Sequence, residues 1–460
     1  MTGDHLASGL GSGLDSGFGA ARFGVFHAEL LALCFLIAAA DGFDTQCISF
    51  VAPTLLREWN VPRAEFGPLF SAGLFGAMLG AAVLGSMADR LGRKPTVLGC
   101  VLLFAVMSLL STTVTSVGML GIYRFLGGVG LGGAIPNIIA LVSEYSPTRH
   151  RAMMMVTMFC GFPLGAMAGG ALSHDLISNH GWQAVFMLGG ITPLVLVGAA
   201  WWRLPESARY LAERGQDAAL QKILARIGHG VRYVSPAVAP TVGASARSVL
   251  PASVLFEHGR APWTLLLWTL CFLGMFLTYF LINWTPLLLV SVGIPQEKAI
   301  LAVVLLNGGG VAGGLILGRL MDRFSVFGML TGTFILGAAC LYALGIGIEA
   351  SLTTTLLMTC ATGMTLFGGQ LNFPGLTANY YPVQMRSTGA GWAMAAGRLG
   401  SVAGPLVGGV LVAADFGTRD LLCLAAFPAA LVAVVVAVMA KTSRGLDTQK
   451  AQPSIATESR

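Results

Sequence analysis

Gly85-Ser86-Met87-Ala88-Asp89-Arg90-Leu91-Gly92-Arg93-Lys94 is a charged, glycine-framed turn set between two apolar runs, 66 to 88 and 95 to 114. A reduced copy, Gly318-Arg319-Leu320-Met321-Asp322-Arg323, closes the run 299 to 318, an offset of 233 from Asp89 to Asp322. A second landmark repeats at nearly the same distance. Tyr145-Ser146-Pro147, with Arg151 four past the proline, returns as Tyr380-Tyr381-Pro382 with Arg386, an offset of 235. Two landmarks at one offset indicate a duplicated unit, and internal duplication is a common architecture among membrane carriers.

Composition supplies the solvent. Of 460 residues, 55% are hydrophobic and 10% charged, whereas a soluble domain carries about 25% charged residues. The apolar supply suits about twelve membrane-spanning helices of roughly 20 residues each. The runs fall at 28 to 52, 66 to 88, 95 to 114, 118 to 143, 152 to 172 and 183 to 202, then 262 to 290, 299 to 318, 327 to 348, 353 to 379, 388 to 413 and 420 to 440. The expected fold is therefore an all-α membrane protein of twelve transmembrane helices in two six-helix bundles. Its expected divisions are an amino tail (1–25), a first bundle (26–202), a linker (203–260), a second bundle (261–441) and a carboxyl tail (442–460). Pro205, Pro236, Pro240 and Pro251 mark the linker as short helices and loop rather than a folded domain.

Lys and Arg are distributed unevenly between alternate loops, 21 on one side against four on the other, with Arg124 and Arg398 inside spans. This bias predicts that both termini and the linker are cytoplasmic. The formal charge of +6 is thus a topological signal, and no basic cluster interleaved with aromatics suggests nucleic acid. The first 25 residues lack the basic segment, apolar core and cleavage site of a signal peptide. Eight cysteines lie in apolar stretches without a CxxC pair, which argues against a disulfide framework or a zinc site. HExxH, Walker A and GxSxG patterns are absent, so the expectation is no enzyme, no metal and no cofactor. Gly128-Val129-Gly130-Leu131-Gly132-Gly133 matches GxGxxG but stands inside a span, so these glycines are read as helix-packing contacts.

Charged residues inside the spans carry the chemistry, because each costs at least about 2.5–3.5 kcal/mol to insert. Arg124 and Arg398 each offer a planar fork for a substrate carboxylate; the alternative for each is a structural pair with a protein carboxylate. Asp41 and Asp44 lie three apart and so share a helix face. Two like charges that close in an apolar segment favour one neutral carboxyl, which is what proton coupling requires. Glu144 ends the fourth run, about 30 Å along the helix from Arg124, and suits a gate with Asp89, Arg90, Arg93, Asp322 and Arg386; the alternatives are plain interfacial solvation for Glu144 and topology alone for the basic loop residues such as Arg93 and Lys94. Tyr279, Asn283, Trp284, Gln370, Asn372, Phe373 and Asn379 could line a cavity that stacks a flat ligand, the alternative for the aromatic ones being plain packing.

The 85–94 turn, its copy at 318–323 and Arg124 leading a glycine-rich span resemble the major facilitator superfamily over about 26 to 441. Asp41-Gly42-Phe43-Asp44, the run Gly130 to Asn137 continuing to Ser143-Glu144-Tyr145, and Gly391 to Arg398 resemble its aromatic acid:proton symporter family. Pro205-Glu206-Ser207 also resembles that family and the sugar porters. The resemblance implies a transporter of the bacterial inner membrane that imports a small monocyclic aromatic carboxylate with protons by alternating access. Protons, substrate and membrane lipid would be its partners, and the implied state is a monomer. The copy departs from the family after Asp322-Arg323, where Phe324-Ser325 replaces Gly-Arg-Lys, which puts a symmetric role for that loop in question. Carriage of another organic anion or a sugar, or sensing of aromatic acids without transport, are the competing readings.

Overall fold

The computed structural model describes residues 23–227, 252–257, 260–348, 351–381 and 385–450, without the side chains of 378, 379, 386, 387 and 443–450. Pro236, Pro240, Pro251 and Pro382, much of both tails, and the side chains of Asn379 and Arg386 therefore lie outside the described residues. The chain separates into two compact units, Met1–Val249 and Leu250–Arg460.

In the first unit, six long helices follow one another: α1 (Val25–Trp59), α2 (Phe66–Leu91), α3 (Arg93–Leu110), α4 (Val117–Tyr145), α5 (Arg151–His180) and α6 (Gln183–Arg203). Glycines set how closely they approach. A Cβ added at Gly80 would lie 2.0 Å from the Val129 carbonyl oxygen, and one at Gly132 would lie 2.0 Å from that of Ala77. The backbones of α2 and α4 thus touch through positions that admit no side chain. The GxGxxG stretch is helical and serves this packing. Two short helices, α7 (Ala208–Glu213) and α8 (Asp217–Ile227), follow α6. Their Leu211, Leu220 and Leu224 are buried in one cluster with Phe26, Leu30 and Tyr145, so the start of the linker is docked onto this unit.

The second unit contains α9 (Ala261–Ser291), α10 (Gln296–Met321), α11 (Val326–Gly347), α12 (Leu352–Thr362), α13 (Gly368–Gln370), α14 (Phe373–Tyr380), α15 (Arg386–Ala413) and α16 (Thr418–Lys450). Among the described residues no strand occurs, and eleven helices are long and apolar enough to cross a membrane. The expected run 353 to 379 is the exception to continuity. It passes from α12 through a π-helical turn, Gly363–Phe367, into α13 and α14. Two features accompany the break. A Cβ at Gly363 would stand 2.1 Å from the Leu306 carbonyl oxygen, so α10 presses directly on the turn. Pro374 at the start of α14 lacks the N–H that a continuous helix needs. Broken backbone at membrane depth is tolerated where protein or a polar cavity satisfies it.

Candidate functional site

α1 brings Asp41 and Asp44 to one face, but their surroundings differ. Asp44 is 1% exposed and Arg124 of α4 is 6% exposed. Arg124 Nη1 donates to Asp44 Oδ1 at 2.8 Å, and Nη2 donates to the Asp44 backbone carbonyl at 2.7 Å. Both prongs of the guanidinium are therefore committed to one residue. Ser108 Oγ lies 3.4 Å from Asp44 Oδ1 and 3.2 Å from the Phe186 carbonyl, so its single proton serves one of the two. The neighbouring Phe43 ring occupies a notch where a Cβ on Gly169 or Gly189 would approach it to 2.0 or 2.9 Å, which fixes the register of this turn. Asp41 is half-buried and accepts from Thr45 Oγ1 at 3.3 Å.

Arg398 in α15 is half-buried, and among the described residues its guanidinium has neither a hydrogen bond nor an ion pair; its carbonyl accepts from Ser401 Oγ at 2.7 Å. The same unit holds the other polar candidates. Asn283 is buried and donates to the Tyr279 carbonyl at 2.7 Å. Asn372 donates to the Gly368 carbonyl at 2.9 Å, and Thr278 of α9 hydrogen-bonds Gln370 in the broken passage. Trp284 Nε1 donates to the Pro405 carbonyl at 3.1 Å, a bond that ties α9 to α15.

The gating candidates of the first unit, Asp89, Arg90, Arg93 and Glu144, gather about the turn that joins α2 to α3. Arg93 Nη1 pairs with Glu144 Oε2 at 2.7 Å. Glu144 also accepts from Ser207 Oγ at 2.8 Å and from the Arg209 backbone N–H at 2.7 Å. Glu206 Oε1 accepts the backbone N–H groups of Arg93, Lys94 and Ser207 at 2.7, 3.1 and 2.8 Å. Tyr145 Oη, fully buried, donates to the Glu206 carbonyl at 2.5 Å. The Asp89 and Arg90 side chains are exposed, while the Arg90 carbonyl accepts from Arg214 at 2.8 Å. At the copied loop, Asp322 is exposed and Ser325 Oγ caps α11 through the Gly328 N–H at 3.4 Å.

Glu206 and Ser108 were missed as site residues. Glu206 was legible in principle: Gly92 stands at the N-cap of α3 with φ +99° and has no side chain to accept the first N–H groups, so another carboxylate must reach them. A Cβ there would come within 2.6 Å of Glu206 Oε2. Ser108 gave no signal, since a serine within an apolar run is usually turned onto its own helix.

The Major Facilitator Superfamily model matches residues 34–374. A gallate transporter of Pseudomonas putida is 38% identical over 88% of this chain and 90% of its own length. A 4-hydroxybenzoate transporter of Pseudomonas aeruginosa is 36% identical over 89% and 92%, and a 3-(3-hydroxy-phenyl)propionate transporter of Escherichia coli 35% over 90% and 94%. The fold is also that of the Escherichia coli xylose transporter in its partially occluded inward-open form, with a TM-score of 0.69 at 17% identity over 95% of this chain and 100% of the other. These relatives are transporters rather than enzymes, and the chain belongs to the major facilitator superfamily and, within it, to the family of aromatic acid transporters.

Proposed function

We propose that this protein is a proton-coupled symporter that imports a monocyclic aromatic carboxylate of the hydroxybenzoate, benzoate or aryloxyacetate type across the bacterial inner membrane, with both termini cytoplasmic. The observation that carries the reading is the unequal state of the two intramembrane arginines: Arg124 is neutralised by Asp44, whereas Arg398 has no counter-charge among the described residues. A half-buried cation inside a span, without a counter-charge, favours an anionic ligand. Arg398 is therefore assigned to the substrate carboxylate. Tyr279, Asn283, Gln370 and Asn372, on α9 and the broken passage of the same unit, are assigned to the ring and its substituents.

Asp44 is the coupling carboxylate and Asp41, three residues earlier and more accessible, its proton relay. Protonation of Asp44 removes the charge that holds Arg124 while the bound anion neutralises Arg398, so uptake of one proton with one monoanion leaves the net intramembrane charge unchanged between the empty and loaded protein. Reorientation proceeds by alternating access of the two six-helix halves. Arg93, Glu144, Asp89 and Arg90, with Asp322 and Arg386, control the cytoplasmic side.

Uptake of radiolabelled aromatic acids into cells producing the protein, with and without a protonophore and beside a sugar and a dicarboxylate, tests this. Accumulation of an aromatic acid that the protonophore abolishes supports the reading. Protonophore-resistant accumulation removes the coupling, preference for the sugar or dicarboxylate removes the substrate class, and binding without accumulation makes the protein a sensor.

A further inference from the structure

A groove of about 520 Å3 runs along the first unit between α3 and α6, lined by Lys94, Leu98, Gly99 and Leu102 and by Val197 and Trp201. Nothing in the transport scheme uses it. Its walls are apolar and open: Leu102 is 42% exposed and Trp201 64%. A Cβ at Gly99 would meet no atom within 4 Å, so the slot is empty at that point. Both walls are membrane-crossing helices, and the apolar rim is the surface they present to hydrocarbon. Lys94 to Leu102 spans about 12 Å of helix, most of the depth of one leaflet.

One end of this slot is cationic. The Lys94 ammonium has no ion pair or hydrogen bond among the described residues, although its backbone N–H is bound by Glu206. Glu206 is the carboxylate that faces it, and its Oε1 already accepts three backbone N–H groups. Arg203 and Arg226 share the single carboxylate of Glu29. With Arg226, which lies near Lys94, and Arg203, which shares Glu29 with it, three cations stand against two carboxylates at and beside this end, and Trp201, of the residue type that settles at the membrane interface, lines the groove.

We propose that this groove binds an anionic phospholipid, with one acyl chain in the slot over Gly99 and the headgroup phosphate on Lys94. An alkyl chain matches the apolar walls, and the surplus positive charge selects a negative headgroup over a zwitterionic one.

The full-length protein is reconstituted in phosphatidylcholine vesicles, and its tryptophan fluorescence is titrated with phosphatidylglycerol, phosphatidylethanolamine or phosphatidylcholine carrying brominated chains. The Trp201 signal is the difference between wild type and Trp201→Phe. Brominated phosphatidylglycerol is expected to reach half-maximal quenching at a mole fraction about fivefold below the other two lipids, the factor one basic residue supplies near an anionic headgroup. Lys94→Gln should merge the curves, Lys94→Arg should keep them apart, and Gly99→Leu, which fills the slot, should reduce quenching by phosphatidylglycerol. Coincident curves in the wild type, a gap that survives Lys94→Gln, or full quenching in Gly99→Leu would overturn the proposal. Because the wild-type lipid comparison and Gly99→Leu each decide by themselves, a Lys94 variant that fails to fold leaves the test standing.

Discussion

The two units each hold, among the described residues, one arginine well away from the ends of a membrane-spanning helix, and they treat it in opposite ways. In the first, both prongs of Arg124 are spent on Asp44, one on its carboxylate and one on its carbonyl, and the pair is nearly inaccessible. In the second, Arg398 is half-buried without a counter-charge among the described residues. The loops repeat the asymmetry. The turn at 89–94 is held by Glu206 and Glu144 and by the docked α7, whereas its copy at 322–325 has an exposed Asp322 and a serine cap. The two halves share a repeated framework but not its charges: at the repeat offset Arg124 falls on Met358, and Arg398 stands on the following span, so the two arginines are not copies of one position.

This contrast can be broken most directly at Arg398. Arg398→Ala should lower kcat/KM for aromatic acid uptake by about 100-fold or more, the loss expected when a charged partner of a substrate carboxylate is removed, while the thermal unfolding midpoint of the purified protein barely moves. Near wild-type uptake would end the assignment. Arg124→Ala should act through folding instead. Leaving Asp44 charged, buried and alone costs about 3–5 kcal/mol, so detergent-solubilised protein should unfold at a clearly lower temperature, and adding Asp44→Asn should restore much of the loss. If the double variant is no more stable than the single one, the pair is not the reason.

A third experiment separates coupling from structure. Asp44→Asn should abolish accumulation against a gradient while retaining downhill exchange of the acid across vesicles; retained accumulation would move coupling to Asp41. Smaller effects distinguish the loops. Glu206→Gln weakens the cap of α3 and should cost about 1–2 kcal/mol, visible as faster protease cleavage near residues 206–214. Ser325→Ala, at the copied loop, should cost no more than about 1 kcal/mol by the same readout. Equal sensitivity at the two loops would contradict the asymmetry.

Much of this was legible in the residues. The period of apolar runs placed the spans, because a helix crossing hydrocarbon must be apolar over its whole length. Asp41, Asp44, Arg124 and Arg398 stood out because a charge in a span is costly and so rarely incidental. The break in the passage 353 to 379 was legible only in part: Pro374 marks a helix start, but the π-helical turn at 363–367 goes with contact of Gly363 with Leu306, more than fifty residues earlier. Nor did the sequence distinguish the two arginines, since each is a lone cation in an apolar run.

By itself the sequence determined that the chain is helical, membrane-embedded and internally duplicated, because hydropathy, length and repeated motifs are local properties that the bilayer reads span by span. Only the tertiary structure decided that Arg124 closes on Asp44 eighty residues away, that Glu206 caps α3 from beyond α6, and that Arg398 keeps its charge open. Whether a charge is satisfied depends on which helix lies against it, and that follows from the packing of the bundle rather than from any stretch of chain.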